Sequence, residues 1–227
     1  MEGTLGIAPT QVGALIALTG DWILSAPDKA GYDKYDVGLY RLRDNEQERL
    51  NGCEFVHLSD INFTADLSNG YFVLCGFPSV WSINSDSSAN DMVLRPILYG
   101  AWTHSGSTAG FKDVDLEHHF LLQASPEVLI DHEGRSAKMR TRSNHWVCMP
   151  GGLRGISGCS VWMIGDLAHP PERWNRQEAR IVGIETGVFE GQAPAIKATR
   201  WRAALSLLYS AFPMVQPSIE SHLKLLK

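Results

Sequence analysis

The chain has 227 residues, 44% of them hydrophobic and 20% charged, with a net charge of -5. That length can bury a substantial core as one large domain or two small ones, while the acidic balance excludes a dedicated nucleic-acid binder, since no basic stripe exists to meet phosphates. No apolar run approaches the ~18–20 residues of a membrane span, and no basic segment followed by an apolar core opens the chain as a secretory signal would.

The first 190 residues read mostly as short strands. Val12 to Leu18 is a compact apolar segment closed by Gly20, and Val37–Leu42, Phe55–Leu58, Tyr71–Cys75 and Met92–Tyr99 follow. Stretches rich in Asp, Asn, Ser and Gly separate them, and Asn69-Gly70 is a turn signal just ahead of "YFVLCGFP". Many short strands at this spacing predict a sandwich or barrel, not alternating βα units. Ser82–Asp91 reads as a linker and His104–Gly110 as a hairpin loop; "HHFLLQA", "SVWMI" and "RIVGIETGVFE" are strand-like. From Thr199 onward, Trp201, Leu205, Leu208 and Phe212 recur at helical spacing until Pro213 stops the run, which predicts one amphipathic helix packed on the body. Cys53, Cys75, Cys148 and Cys159 form no CxxC pair and no metal-ligand spacing, so they read as small buried hydrophobes in a reducing compartment. A cytoplasmic protein is expected.

The segment with the most chemical content is "GLRGISGCSVWMIGD", residues 152–166. A nucleophilic serine needs an exposed hydroxyl, a base to take its proton and donors for the oxyanion. Gly155 lets the backbone turn so that its own N–H and that of Ser157 can point to one spot, and Gly158 removes a side chain that would crowd a substrate carbonyl. The GxSxG elbow of α/β-hydrolases requires a helix directly after the serine. Here Cys159 stands at the second glycine and a strand follows, so that template fails. "GISGC" fits the GxSGG loop with one departure, Cys159 for glycine.

With "YDVGLYRL" (35–42), "YFVLCGFP" (71–78), "GISGCSVW" and "RIVGIETG" in that order, the chain resembles the trypsin-like serine peptidases, in particular the cytoplasmic bacterial type with short loops and no disulfides. The resemblance spans about residues 13–190. It implies an all-β, trypsin-like double β-barrel with an incomplete first barrel and a C-terminal α-helix. The partial first barrel would occupy residues 1–90 and carry the aspartate. The second, over 91–194, would carry the serine; the helix would take 195–213 and a tail 214–227. Ser157 would be the nucleophile of a serine endopeptidase working through an acyl-enzyme. Asp36 would be the orienting carboxylate, and the N–H groups of Gly155 and Ser157 the oxyanion hole. "YFVLCGFP" would be a late first-barrel strand. Ile184, Glu185, Thr186 and Gly187 would line the substrate cleft, Glu185 facing substrate or solvent according to register. Gly151, about six residues before the nucleophile, would lie at the base of the specificity pocket and leave it without an acidic floor. Asp33, Asp36's neighbour, lies outside the apolar run and is the weaker candidate.

The base is missing from its expected place. The family's chain order is His, Asp, Ser, yet no histidine precedes Asp36; the first is His57, followed by His104, His118, His119, His132, His145, His169 and His222. Adjacent His118 and His119 in a strand point to opposite faces and cannot serve one site together. Two expectations follow. Either the chain begins downstream of the histidine strand and is an inactive or weak peptidase as it stands, or it is a catalytically dead trypsin-fold module that binds an extended peptide on the Ile184–Gly187 strand. The expected partner in both cases is a peptide or protein, with no nucleic acid or membrane. No cofactor and no metal are expected: "MPGGLRGISG" lacks the GxxxxGK[ST] lysine, and no HExxH motif is present.

Overall fold

A computed structural model describes residues 6–7, 16–17, 19–25, 33, 35–50, 55–77, 83–84, 92–93, 97–124, 129–130, 139–140, 146–147, 155–166, 168–189 and 194–225. In chain order the strands begin with β1 (Gly6–Ile7), β2 (Ile16–Ala17), β3 (Asp21–Leu24), β4 (Gly38–Arg41) and β5 (Gly70–Gly76). Next come β6 (Ile83–Asn84), β7 (Met92–Val93), β8 (Ile97–Trp102), β9 (His119–Gln123) and β10 (Leu129–Ile130). The last are β11 (Met139–Arg140), β12 (Trp146–Val147), β13 (Ser160–Asp166), β14 (Arg180–Phe189) and β15 (Ala195–Arg200). Three α-helices, α1 (Asp44–Arg49), α2 (Trp201–Ala211) and α3 (Gln216–Leu225), and several short 3-10 turns complete the described elements.

Most of the core lies in one antiparallel sheet of order β10-β8-β5-β13-β14-β15-β9. In β5 the burial alternates residue by residue, with Phe72 and Leu74 inward and Tyr71 and Val73 half-buried, as period-2 side chains on a one-faced sheet require. Phe72, Leu74, Phe120, Leu122, Val161 and Ile196 are the centre of the core. The sheet curls until β8 reaches β9, where Thr103 bridges Leu122 and the His104 N–H donates to the Leu121 carbonyl at 2.9 Å. The fold is therefore mostly β, a curled antiparallel sheet with helix at its C-terminal end.

Several expectations change here. Tyr71–Cys75, expected in the first barrel, lies within this sheet between β8 and β13, so a division at residue 90 does not separate the serine strand from β5. Phe55–Leu58 is not a strand: residues 55–57 are irregular and His57 is extended as it enters a 3-10 turn, Leu58–Asp60, where the Asp60 carboxylate takes the His57 N–H at 2.9 Å. A short acidic side chain closing its own turn competes with ladder pairing. Residues 195–200, expected in the helix, form β15, which is buried along nearly its whole length. A strand covered on both faces reads as a continuous run without alternation, and its period is therefore silent. The helix begins at Trp201, and the expected tail holds α3, in which Ile219 is buried and Glu220 accepts the Tyr209 hydroxyl at 2.6 Å. Of the cysteines, Cys75 is exposed and Cys159 half-buried, both free thiols; Cys53 and Cys148 lie outside the described residues.

The β3–β4 hairpin is a separate two-stranded ladder, tied to α1 by one carboxylate. Glu46, almost fully buried, accepts from the Thr19 N–H at 2.6 Å, the Tyr40 hydroxyl at 2.7 Å and the Arg43 N–H at 2.8 Å. These donors, the backbone N–H groups of Arg43 and Thr19 above all, hold its pKa down at about 2. Among the described residues no helix is long and apolar enough to cross a membrane.

Candidate active site at the Ser157 turn

Ile156, Ser157, Gly158 and Cys159 form a tight turn closed by the Cys159 N–H on the Ile156 carbonyl at 3.0 Å. Gly158 has φ +90, the left-handed value that the third residue of a type II turn demands. Gly155, just before the turn, has φ +97. Both glycines flanking the serine are thus used for backbone conformations that other residues rarely adopt. Ile156 anchors the turn from below: it is 3% exposed, and a Cβ at Gly76 would stand 2.8 Å from its Cβ. With Ile156 driven into the core, Ser157 is left on the exposed side. Neither Gly155 nor Ser157 is a donor in the backbone hydrogen bonds among the described residues, which is the state that oxyanion donors require before substrate arrives.

The turn is sewn to β14. The Gly158 N–H donates to the Glu185 carbonyl at 2.8 Å and the Glu185 N–H to the Cys159 carbonyl at 2.9 Å. Ile184 pairs with Ser160 on one side and Thr199 on the other, and Glu185 pairs with Ala198. Ile184 and Glu185 are therefore flanked on both sides and offer no edge to an incoming strand. From Thr186 to Phe189 the partner is β15 alone, so on the side toward β13 this edge is open among the described residues. A register slip between Glu185 and Gly187 makes Thr186 the extra residue of a bulge. Its hydroxyl lies 3.1 Å from that of Thr199, which donates at 2.8 Å to the Tyr35 carbonyl. Since the Thr199 proton is committed to Tyr35, Thr186 is the donor of the pair.

That chain of hydroxyls brings the Tyr35–Asp36 turn against β14 and β15. Asp36 is exposed and has φ +49, a left-handed value that aspartate tolerates better than most residues. Asp33 holds the turn by accepting the N–H groups of Tyr35 and Asp36 at 3.0 and 3.2 Å and the Ser25 hydroxyl at 2.5 Å.

Glu185, expected to face substrate or solvent, does neither. It is 0% exposed and shares a face with Ala198, a core residue. The Ser157 hydroxyl lies beside its carboxylate, but neither carboxylate oxygen has a well-formed hydrogen bond among the described residues. Burial lifts its pKa to about 7, against the pull of the Ser157 hydroxyl, the Gly187 N–H and the Lys197 charge, and the Asp36 carboxylate adds to the lift. Asp36 is therefore placed near a second carboxylate. Cys159, in the same turn, is pushed up to about 12, first by burial and then by the charge of Glu185; it stays a neutral thiol.

Four of the described histidines have contacts away from the Ser157 hydroxyl. His104 packs edge-on to Phe111 and His118 to Tyr35. His119 is fully buried and accepts the Asp115 N–H on Nδ1 at 3.0 Å, while His222 sits against Phe63. His132, His145 and Gly151 lie outside the described residues. Asp115, Glu117 and His118 gather possible metal-ligand atoms within 4.8 Å, and the two acids stand 3.8 and 3.9 Å from the His118 ring.

Ser157, Gly155 and Glu185 are thus brought together, with Asp36 within electrostatic reach and Thr186–Gly187 at the start of the open edge. In the sequence, only Glu185's position on the strand expected beside the cleft pointed to its place next to the serine. No family model, curated protein or solved structure matches the chain.

Proposed function

We propose that this chain binds an extended peptide along the Thr186–Phe189 edge of β14 and hydrolyses it through an acyl-enzyme on Ser157. The observation that carries this reading is the Ser157 turn itself. Ser157, an exposed residue, stands between two left-handed glycines, beside a strand edge that is open among the described residues. The N–H groups of Gly155 and Ser157 are the oxyanion donors of this reading. The resemblance to trypsin-like serine peptidases supports the same reaction class, with the double barrel as its finer architectural expectation.

A fluorophosphonate probe tests it. Ser157 in the full chain should become labelled, and Ser157→Ala should abolish the labelling while the variant unfolds at the same denaturant concentration. A folded chain that stays unlabelled across the accessible pH range overturns hydrolysis. The open edge alone supports a second reading, a module that binds peptide without cleaving it. In that case an extended peptide would protect the amides of Thr186–Phe189 from hydrogen exchange equally well in the wild type and in Ser157→Ala.

A further inference from the structure

We infer that Glu185 is the general base of the Ser157 reaction, a carboxylate performing the proton transfer that a serine hydrolase ordinarily assigns to an imidazole. This deepens the acyl-transfer reading and rests on it. Three features of the site point the same way. The Glu185 carboxylate lies beside the serine hydroxyl. It is completely buried, yet both of its oxygens lack well-formed hydrogen bonds among the described residues. A buried carboxylate without well-formed hydrogen bonds is costly to keep and is ordinarily replaced by an apolar residue or fully paired. An acceptor kept open toward a nucleophile accounts for its presence in an otherwise apolar face.

The groups around it suit the task. Ser157 and Cys159 approach from the turn, Lys197 from β15, Asp36 from the loop before β4, and Cys75 lies beyond Cys159. Lys197 pairs with Gly187, and its neighbour Ala198 with Glu185, so the lysine and glutamate side chains leave the ladder on opposite faces. The lysine therefore stabilises the carboxylate through its charge and leaves its oxygens open. A carboxyl group in water is too weak a base to deprotonate serine at neutral pH. Burial raises this one to about 7, within the range that favours proton transfer near neutrality. Cys159, held as a neutral thiol, does not compete for the proton.

The steps balance without an added reagent. As Ser157 Oγ attacks the peptide carbonyl, its proton passes to a Glu185 oxygen and the carbonyl π pair moves onto the oxyanion. Collapse of the tetrahedral species breaks the C–N bond, and the Glu185 proton leaves with the amine. Water then attacks the ester, giving its proton to Glu185, which returns it to Ser157 Oγ as the carboxylic acid product departs.

The test is the rate of fluorophosphonate labelling of the full chain as a function of pH, for the wild type, Glu185→Gln, Glu185→Asp and Ser157→Ala. The wild-type rate should rise with pH through a single ionisation near 7. That midpoint should stay nearly fixed as temperature is raised, because a carboxyl group ionises with little heat, whereas an imidazole's midpoint would fall. Glu185→Gln should slow labelling about 10²-fold or more and remove the inflection, and Glu185→Asp should recover part of the rate with a displaced midpoint. Wild-type labelling matched by a folded Glu185→Gln overturns the base and leaves the serine reaction standing. If Glu185→Gln does not fold, a wild-type midpoint that falls with temperature overturns the base by itself. No labelling of the wild type at any pH overturns both the base and the hydrolase.

Discussion

At the scale of single residues the site is a problem of backbone conformation before it is one of chemistry. Gly158 has open space around a would-be Cβ, with nothing within 4 Å, yet its φ of +90 is one that side-chain-bearing residues rarely adopt. Gly158→Ala should therefore cost about 1–2 kcal/mol through the backbone alone, visible as a lower denaturant midpoint, and Gly158→Asn should recover part of the loss because asparagine tolerates left-handed angles. The need for glycine on both sides of Ser157 is legible in the sequence, since only local geometry is involved. The role of Glu185 is not. Whether it faces solvent or core depends on the β14 register, and that register includes a bulge at Thr186 which no local pattern announces. Asp36 is an intermediate case: the turn chemistry of "GYDKYD" is local and readable, but its approach to the Glu185 carboxylate depends on contacts across 164 residues, through Thr199 and Tyr35.

At the scale of elements, the strands with clear alternation or flanking turns, β4, β5, β13 and β14, stand close to where their sequence patterns predict, and α2 ends before Pro213 as expected. What failed has a physical cause in each case. The order β8-β5-β13 joins segments far apart in sequence, and no residue pattern encodes which edge meets which. In β15 burial on both faces removes the alternation by which strands are recognised. One contact holds these distant elements in the arrangement the site needs. Thr199, fully buried in β15, receives the Thr186 hydroxyl from the β14 bulge and donates to the carbonyl beside Asp36. Thr199→Val keeps the shape and removes both bonds, so it should destabilise the fold by about 1–3 kcal/mol. If the bulge also positions the β14 edge, the variant should show faster amide exchange at Thr186 and Gly187 than Thr186→Val does, since the latter leaves the Thr199–Tyr35 bond in place.

For the whole molecule, two buried glutamates, Glu46 in α1 and Glu185 in β14, pull stability in opposite directions with pH. Glu46 has its pKa lowered in the fold to about 2 from an ordinary 4.5. Between those values the unfolded chain binds more protons than the folded one, so stability rises with pH up to about 4.5 and is lost on acidification. Glu185 has its pKa raised to about 7 from the same ordinary value. Between 4.5 and 7 the folded chain binds the extra proton, so stability falls as pH rises, by about 3 kcal/mol if the whole shift is expressed. Together they predict a maximum of stability near pH 4.5, on the acid side of neutrality, where Glu185 is protonated and Glu46 still ionised. Chemical denaturation across pH checks it: Glu185→Gln should abolish the falling limb above 4.5 and be at least as stable as the wild type at neutral pH, while Glu46→Gln should flatten the rising limb and lower stability near the maximum. The region above 4.5 is also where the proposed base becomes competent. The molecule would then be less stable at the pH at which Ser157 reacts than at the pH at which it is inert, because ionising Glu185 in an apolar face is the same event in both. A stability profile that is flat between pH 4.5 and 7, in a chain whose labelling still rises near 7, would break that identity and locate the kinetic ionisation in another group.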